Sequence, residues 1–247
     1  MNSKLLEGHW TLDFSLNMIQ AIFFDFNGVI IDDEPLQMAA YKEVLAEQEI
    51  DLTEDDYYSA LGMDDRTFVR TAFERAKKEL TVDVLQLMLE GKTLRHRKLI
   101  EQKLPLFPGV VTFLKASARE FSLGLVSMAT QDEIDHVLER ARLASLFSLI
   151  VTAENVSSCK PAPECYRKAF EKLNEKRLAE RRLPVKANEC LVIEDSPPGI
   201  ISGRAAGMRT LGVTNTVSEE QLRAAGADVV TSSLVDWTVD AVHHLFD

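Results

Sequence analysis

Six short apolar runs, separated by segments with helical spacing, constrain the fold of this 247-residue chain more than any other feature. Strands that alternate with helices in this way pair in parallel, because each helix carries the chain back to the same end of the sheet. We therefore predict an α/β fold, a doubly wound parallel sheet covered by helices. The predicted strands are residues 21–24, 123–126, 149–152, 191–193, 210–213 and 228–230.

The interval between the first two predicted strands is too long for a single crossover helix. Its apolar residues follow helical spacing, as at Leu36, Ala40 and Val44, and it carries no strong strand pattern. We therefore predict an α-helical cap domain inserted into the α/β core. The predicted divisions are residues 1–17 for an N-terminal extension, 18–34 and 106–247 for the core, and 35–105 for the cap.

Two predicted helices begin with capping signals directly after strands. Thr130 and Glu133 have the spacing of a capping box, and Ser196 followed by Pro197 suits an N-cap and a first helical position. Such turns direct helix N-termini towards the strand ends. Because a helix N-terminus favours anions, this edge of the sheet would suit a ligand that carries a phosphate.

Composition narrows the classes of partner and compartment. A formal charge of −11 argues against nucleic acid, whose phosphates call for clustered lysine and arginine. No apolar run approaches the roughly 18 residues that a membrane span needs. Cys159, Cys165 and Cys190 are sparse and lack metal-ligand spacing, which favours structural thiols in a reducing, cytoplasmic compartment. We expect a monomer or a weak homodimer.

Polar residues stand where predicted strands end. Asp25-Phe26-Asn27-Gly28 follows the first strand, Ser127 the second, and Glu194-Asp195 the fourth, while Lys160 precedes a proline-rich turn after the third. Taken alone, Asp, Asn and Gly at a strand end are also ordinary turn residues. Ligands of open α/β sheets bind beyond the carboxyl ends of the strands, so these residues are the candidates for a site.

The order of these four motifs resembles that of the haloacid dehalogenase superfamily, and residues 23–34 look like its β-phosphoglucomutase-like branch. The resemblance implies strand order 3-2-1-4-5, which places Asp25 and Asp195 on either side of one crevice. Acidic groups that face each other repel unless a cation lies between them, and such oxygen ligands suit Mg²⁺. The implied metal-binding residues are Asp25, Asn27, Glu194 and Asp195.

The resemblance also implies roles in phosphoryl transfer. Asp25 is the candidate nucleophile, which would form an aspartyl-phosphate. Lys160 would offset negative charge on the carboxylate and the phosphoryl group. Ser127 and the neighbouring backbone N–H groups, including that of Met128, would bind phosphoryl oxygens. The further candidates for substrate binding are Gly28, through close backbone approach, and Arg66, in a cap segment that resembles the family's substrate loop.

Asn27 departs from the resembling motif at a functional position, and Asp33 stands where serine or threonine is usual. The family's acidic residue at position 27 is its general acid and base, whereas an Asn side chain keeps the shape but cannot exchange protons. Three explanations remain open: tuning towards activated phosphates, an impaired relative that still binds phosphorylated ligands, or a deliberate substitution. Replacement by Asp32, Asp33 or Glu34 is disfavoured, since all three lie several residues beyond the nucleophile.

We therefore predict a Mg²⁺-dependent phosphatase that acts on a small, sugar-phosphate-like metabolite through phospho-Asp25. The alternative is a non-catalytic protein that binds phosphometabolites on the same scaffold. A phosphomutase is disfavoured by Asn27, and a dehalogenase by Lys160 and the acidic pair. The charged run at residues 95–98 is typical of a solvated helix face. No cap lysine identifies itself as the Schiff-base residue of a phosphonate-cleaving enzyme.

Overall fold

A computed structural model of the chain describes residues 18–102 and 104–246, and the predicted extension at residues 1–17 lies outside them. Within the described ranges, six parallel strands form one sheet in the order β3-β2-β1-β4-β5-β6. The predicted doubly wound parallel sheet is confirmed, and β6 extends the implied order at one edge. The strands are β1 Ala21–Phe24, β2 Ser122–Val126, β3 Leu149–Val151, β4 Cys190–Glu194, β5 Arg209–Val213 and β6 Val229–Thr231.

Strand β1 lies in the middle of the sheet, between β2 and β4, and all of its residues are buried. Because neighbouring side chains of a strand point to opposite faces, Ile22 and Phe24 pack into one hydrophobic cluster, while Ala21 and Phe23 pack into another. Burial on both faces explains why the strand reads as an uninterrupted apolar run.

Helices of the core follow the strands and cover both faces of the sheet. The predicted capping box at Thr130 and Glu133 is present at the start of α6. Ser196 caps α8 by accepting a hydrogen bond from the backbone N–H of Gly199. Both predicted helix starts are therefore confirmed. The helices are α5 Val110–Ser117, α6 Gln131–Ala141, α7 Glu164–Ala179, α8 Pro197–Ala205, α9 Glu219–Ala224 and α10 Val239–Phe246.

Five of the described α-helices lie between β1 and β2, and the first four of them share a hydrophobic cluster of their own. Within it the Tyr41 and Phe68 rings have centroids 4.1 Å apart. The domain boundaries stay a prediction, although the first of these helices begins one residue before residue 35. No described helix is long and apolar enough to cross a bilayer. The four helices are α1 Glu34–Ala46, α2 Glu54–Tyr58, α3 Asp65–Arg75 and α4 Val82–Gln102.

Candidate active site

A cavity at the carboxyl ends of β1, β2 and β4 brings together most of the predicted site residues. It lies between the sheet and the four inserted helices, which supply the rest of its wall. Glu194, Gly28 and Arg66 are not among its lining residues. The predicted residues that line it are Asp25, Asn27, Ser127, Met128, Lys160 and Asp195.

Lys160 is the buried cation at the floor of this cavity. Its Nζ lies 2.8 Å from Asp25 Oδ1 and 2.6 Å from Glu194 Oε1, and it also donates to the Val126 carbonyl oxygen at 3.3 Å. Burial alone would lower the pKa of Lys160, but the two carboxylates outweigh it and hold that pKa above its usual value. Lys160 therefore stays protonated beside the candidate nucleophile, as its predicted role requires.

Asp25, Glu194 and Asp195 form a buried acidic cluster in which one oxygen from each residue lies within 4.8 Å of the others. Burial, with the charge of Glu194, raises the pKa of Asp25 to about 7 and raises that of Asp195 well above its usual value. One lysine does not offset three carboxylates. A hard dication fits this set of oxygen donors.

The three carboxylates of the acidic cluster differ in how many hydrogen bonds they already accept, and so in how available they are to a metal ion. Glu194 accepts hydrogen bonds from Lys160, from the Tyr166 hydroxyl at 2.7 Å, from the Ser196 hydroxyl at 3.2 Å and from the Asp195 backbone N–H at 3.3 Å. Asp195 accepts from the Thr216 hydroxyl. Glu194 is thus committed to holding Lys160, which leaves Asp25 and Asp195 as the more available oxygen donors.

Gly28 lies behind the acidic cluster rather than on the cavity wall. Its φ of +75° favours glycine, and a Cβ there would lie 1.8 Å from Asp195 Oδ2. The Gly28 backbone does make a close approach, but to the Asp195 carboxylate and not to the cavity where substrate would bind. Its predicted contact with substrate has no support in the cavity lining.

Ser127 and Met128 follow β2 and line the cavity opposite Asp195. The Ser127 hydroxyl accepts a hydrogen bond from the Ala129 backbone N–H at 3.0 Å. This contact fixes the turn and leaves the hydroxyl proton available for an acceptor in the cavity. The arrangement is compatible with the predicted binding of phosphoryl oxygens.

Asn27 is half-buried and hydrogen-bonds to a buried carboxylate in a group that we call the Asp33 cluster, formed by Asn27, Asp33, Gln37 and His96. The Asn27 amide donates to both Asp33 carboxylate oxygens, at 3.0 and 3.1 Å. Gln37 donates to Asp33 at 3.0 Å, and His96 Nε2 lies 2.7 Å from it. Because Asp33 is fully buried, these partners provide the hydrogen bonds that water cannot. The amide at position 27 therefore supplies the hydrogen-bond donor that the carboxylate at position 33 needs.

The charged run at residues 95–98 is not uniformly solvated. Arg95 pairs with Glu43 and Glu47, and Arg97 pairs with Asp132. His96, between them, is 2% exposed and reaches the Asp33 cluster. The prediction of a solvated face is wrong at His96, because a helix turns neighbouring side chains in different directions and this one meets the core.

The inserted helices contribute a second buried ion group. Lys92 of α4 lies 3.0 Å from Asp65 Oδ2 and 2.8 Å from Glu133 Oε1, with its Nζ 5.2 Å from the Tyr41 ring centroid. Despite burial, Lys92 holds the pKa of Glu133 down at about 2. The two carboxylates likewise raise the pKa of Lys92. Lys92 is a cap lysine that sequence patterns did not reveal, and its protonation argues against a Schiff-base role.

Arg66 lies on the exposed face of α3. It lines a surface groove with Arg97 and Asp132, whereas the preceding residue, Asp65, lines the cavity that contains Asp25. The structure therefore brings Arg66 together with Met128 at this groove, but not with Asp25, Lys160 or the other predicted site residues. Its contact with substrate stays a prediction that the cavity does not support.

The strand ends of this parallel sheet bring together a carboxylate, a buried lysine and an acidic cluster. This arrangement defines a hydrolase that acts on phosphate esters. A family model described as haloacid dehalogenase-like hydrolase matches residues 22–213. The chain belongs to the haloacid dehalogenase-like hydrolase family. The resemblance inferred from the sequence motifs is thereby confirmed, and the chain is an enzyme of the hydrolase class.

Three similar proteins illustrate the relationship. Hexitol phosphatase B of Escherichia coli (strain K12) is 29% identical over 222 residues, which cover 89% of this chain and 95% of that protein. The Arabidopsis thaliana protein SUPPRESSOR OF QUENCHING 1, chloroplastic, is 26% identical over 227 residues, which cover 91% of this chain and 20% of that protein. The chain thus spans a fifth of that relative's length. The crystal structure of β-phosphoglucomutase from Clostridium difficile superposes with a TM-score of 0.80 at 24% identity, covering 93% of this chain and 97% of that one.

Proposed function

We propose that the chain is a Mg²⁺-dependent phosphatase that hydrolyses a small phosphorylated metabolite through phospho-Asp25. The observation that carries this proposal is the buried ion pair of Asp25 with Lys160, beside an acidic cluster that one lysine cannot neutralise. The proximity of Lys160 to Asp25 and Glu194 supports a nucleophile, a cation and metal donors that act together. Membership of a hydrolase family and similarity to a hexitol phosphatase support it.

The residues of the cavity divide the work of phosphoryl transfer. Asp25 attacks phosphorus, and Lys160 stabilises negative charge on the phosphoryl oxygens. Ser127 and the backbone N–H of Met128 bind those oxygens and orient the group. Bound Mg²⁺ would supply further positive charge for the transferred group. The residues proposed to hold it are Asp25, Asp195 and the Asn27 backbone carbonyl directly, with Glu194 acting directly or through water.

The wall formed by the inserted helices indicates a polar but uncharged alcohol as the leaving group. Lys92 is already neutralised by Asp65 and Glu133, so it offers no free positive charge to a second phosphate. Such a wall repels a second phosphate, while its carboxylates and the tyrosines Tyr41 and Tyr57 can hydrogen-bond to hydroxyls. We propose a sugar or sugar-alcohol monophosphate as the substrate class.

Turnover of p-nitrophenyl phosphate in the presence of MgCl₂ tests the phosphatase proposal. Its leaving group needs little protonation, so the assay does not depend on the acid that Asn27 lacks. We expect phosphate release that EDTA abolishes and that falls to background in Asp25→Asn. If the unchanged protein binds hexitol phosphate in calorimetry but releases no phosphate from either ester, the non-catalytic binding protein is the correct alternative.

Magnesium is expected to raise the thermal unfolding midpoint, and Asp195→Asn should lose most of that rise. A ligand at 100 times its Kd stabilises by about 2.7 kcal/mol, or roughly 5–10 °C for a protein of this size. Without metal, Asp195→Asn removes one of the repelling carboxylates, so its midpoint should equal or exceed that of the unchanged protein. Calorimetry with EDTA and then MgCl₂ measures both effects.

Asp135→Asn is the matched control for this experiment, because Asp135 is an exposed carboxylate on α6. It should keep the whole rise. An equal magnesium effect in Asp195→Asn would remove Asp195 from the metal site.

We also propose a cytoplasmic setting and a small-molecule partner. Cys159, Cys165 and Cys190 are free thiols, which supports the predicted reducing, cytoplasmic compartment. We propose a small phosphorylated molecule as the partner, with neither nucleic acid nor membrane involved. A monomer or weak homodimer stays a prediction.

A further inference from the structure

Hydrolysis of an ordinary alkyl phosphate needs a proton for the departing oxygen, and Asn27 cannot provide it. Its amide is moreover bound to both oxygens of Asp33. A phosphatase with this site therefore needs a different acid near the leaving group. The cavity that contains Asp25 must hold it, because proton transfer requires hydrogen-bonding distance to the substrate.

Most of the carboxyl groups that line the cavity already have a proposed role or an ion-pair partner. Asp25 is the nucleophile and Asp195 belongs to the acidic cluster, while Asp65 and Glu133 are ion-paired to Lys92. Each of these four groups is committed to a role that needs its charge. Glu34 is the remaining carboxyl group among the described lining residues.

The neighbours of Glu34 in sequence do not compete with it. Asp32 is exposed to solvent, and Asp33 is fully buried outside the cavity lining, with Asn27, Gln37 and His96 bound to it. The sequence disfavours all three residues as replacements for the acid at position 27, but the structure supports Glu34. Distance along the chain misleads here because the segment after Gly28 folds back, so that the first residue of α1 faces the nucleophile's cavity.

The surroundings of Glu34 favour its protonated form, so that both the protonated and the ionised form are present near neutrality. Burial, followed by the charge of Asp33, raises its pKa to about 7, while the Tyr57 hydroxyl, which donates to Glu34 Oε2 at 2.6 Å, opposes that rise. A carboxyl group of this pKa can both donate and accept a proton at physiological pH. The charged and titratable groups that act on it are Asp33 beside it, Asp25 and Asp195 from the strand ends, Tyr57 and Tyr58 from α2, and Lys92 from α4.

We propose that Glu34 is the general acid and base of this enzyme, in place of the residue at position 27. The proposal rests on the proposed phosphatase function. In the first step an Asp25 oxygen bonds to phosphorus, the ester P–O bond breaks, and its electron pair takes the Glu34 proton. The products are phospho-Asp25, the free alcohol and the Glu34 carboxylate.

In the second step a water oxygen bonds to phosphorus and gives one proton to the Glu34 carboxylate. The bond between phosphorus and the Asp25 oxygen breaks, and its electrons return to the Asp25 carboxylate. Inorganic phosphate, ionised Asp25 and protonated Glu34 result. The enzyme is then in its starting state, with one water consumed for each ester cleaved.

Glu34→Gln with two substrates tests this assignment. The rate of phospho-Asp25 formation from hexitol phosphate, measured in a single turnover, should fall about 10²–10³-fold, since the lost proton transfer is typically worth that much. The initial burst of p-nitrophenolate, which reports the same step with a leaving group that needs no proton, should change less than about 3-fold. Steady-state turnover of both substrates should fall, because hydrolysis of phospho-Asp25 also uses Glu34. In the unchanged protein, hexitol phosphate turnover should fall tenfold per pH unit above about pH 7, as Glu34 ionises. This fall above pH 7, the basic limb of the pH profile, should be absent from the Glu34→Gln variant.

Tyr57→Phe provides a second test that keeps the carboxyl group. Removing the hydroxyl that donates to Glu34 favours its protonated form, so the basic limb should move to higher pH. If Glu34→Gln does not fold, an unmoved limb in Tyr57→Phe overturns the proposal by itself. Equal losses in the rate of phospho-Asp25 formation from the two substrates, or no loss of that rate with hexitol phosphate, also overturn it. Absence of p-nitrophenyl phosphate turnover in the unchanged protein would instead refute the proposed function.

Discussion

Asn27→Asp is expected to destabilise the protein by about 3–5 kcal/mol at pH 8 and to leave turnover of alkyl phosphates no higher than before. The Asn27 nitrogen lies 3.0 and 3.1 Å from the two Asp33 oxygens, so the substitution replaces a donor with a second carboxylate at contact distance. Asp33 is fully buried, which prevents water from screening the repulsion. The family's usual acid is thus incompatible with this chain's Asp33.

The loss in Asn27→Asp should depend on pH in a defined direction. Two touching carboxyls share a proton, so the upper pKa of the pair in the folded protein exceeds the roughly 3.9 of an unfolded Asp. Above about pH 4 the folded state then binds more protons than the unfolded state, and stability falls as pH rises. Urea unfolding at pH 5 and pH 8 measures this: the destabilisation should be smaller at pH 5.

The double variant that combines Asn27→Asp with Asp33→Ser is the matched test of compensation. A serine hydroxyl can donate to the new carboxylate at position 27, and serine or threonine is usual at position 33 in the resembling motif. The double variant should therefore recover part of the stability lost by Asn27→Asp and gain turnover of alkyl phosphates. If Asn27→Asp alone is as stable as the unchanged protein at pH 8, the coupling of the two positions is wrong.

This coupling bears on the three explanations left open for Asn27. A single substitution at position 27 would not place a carboxylate at position 33, whereas here both positions depart from the motif and bind each other. The pairing favours an enzyme adapted around Asn27 over an impaired or altered one. Adaptation also gives a reason for a second acid to stand in the cavity at Glu34.

The sheet could be predicted because its evidence is local. Strand β1 is buried on both faces and therefore apolar throughout, and each strand-end residue of the site sits within two positions of a run that patterning finds. Asp25, Ser127 and Asp195 were found in this way. The order of the strands required the family resemblance, because hydrophobic pattern does not specify which strands are neighbours.

The helical wall of the cavity could not be predicted because its contacts are distant in sequence. Lys92 meets Glu133 across 41 positions, and His96 meets Asp33 across 63. Neither residue belongs to a motif, and a charged residue on a long helix is more often solvated. The sequence correctly predicts Glu133 as a capping residue of α6. That local pattern gives no indication that Glu133 also pairs with Lys92.

Lys160→Met is expected to lower turnover of p-nitrophenyl phosphate by about 10³-fold at saturating MgCl₂. Removing one preorganised donor from a developing anion typically costs 10²–10³-fold, and here the donor is a full charge in a buried site. Its Nζ lies within 2.8 Å of both Asp25 and Glu194, so its loss also leaves two buried carboxylates without their shared cation. The first effect acts on the transition state, and the second acts on the folded protein.

Two measurements separate these effects of Lys160→Met. Calorimetry reports the stability loss, which Mg²⁺ should partly reverse because a dication can neutralise the same carboxylates. Turnover at saturating MgCl₂ should stay low, because Mg²⁺ does not restore a donor at the position of Nζ. Lys172→Met, an exposed lysine on α7, is the control and should match the unchanged protein in both measurements. Recovery of full turnover in Lys160→Met at high MgCl₂ would show that Lys160 serves only to balance the charge of the acidic cluster.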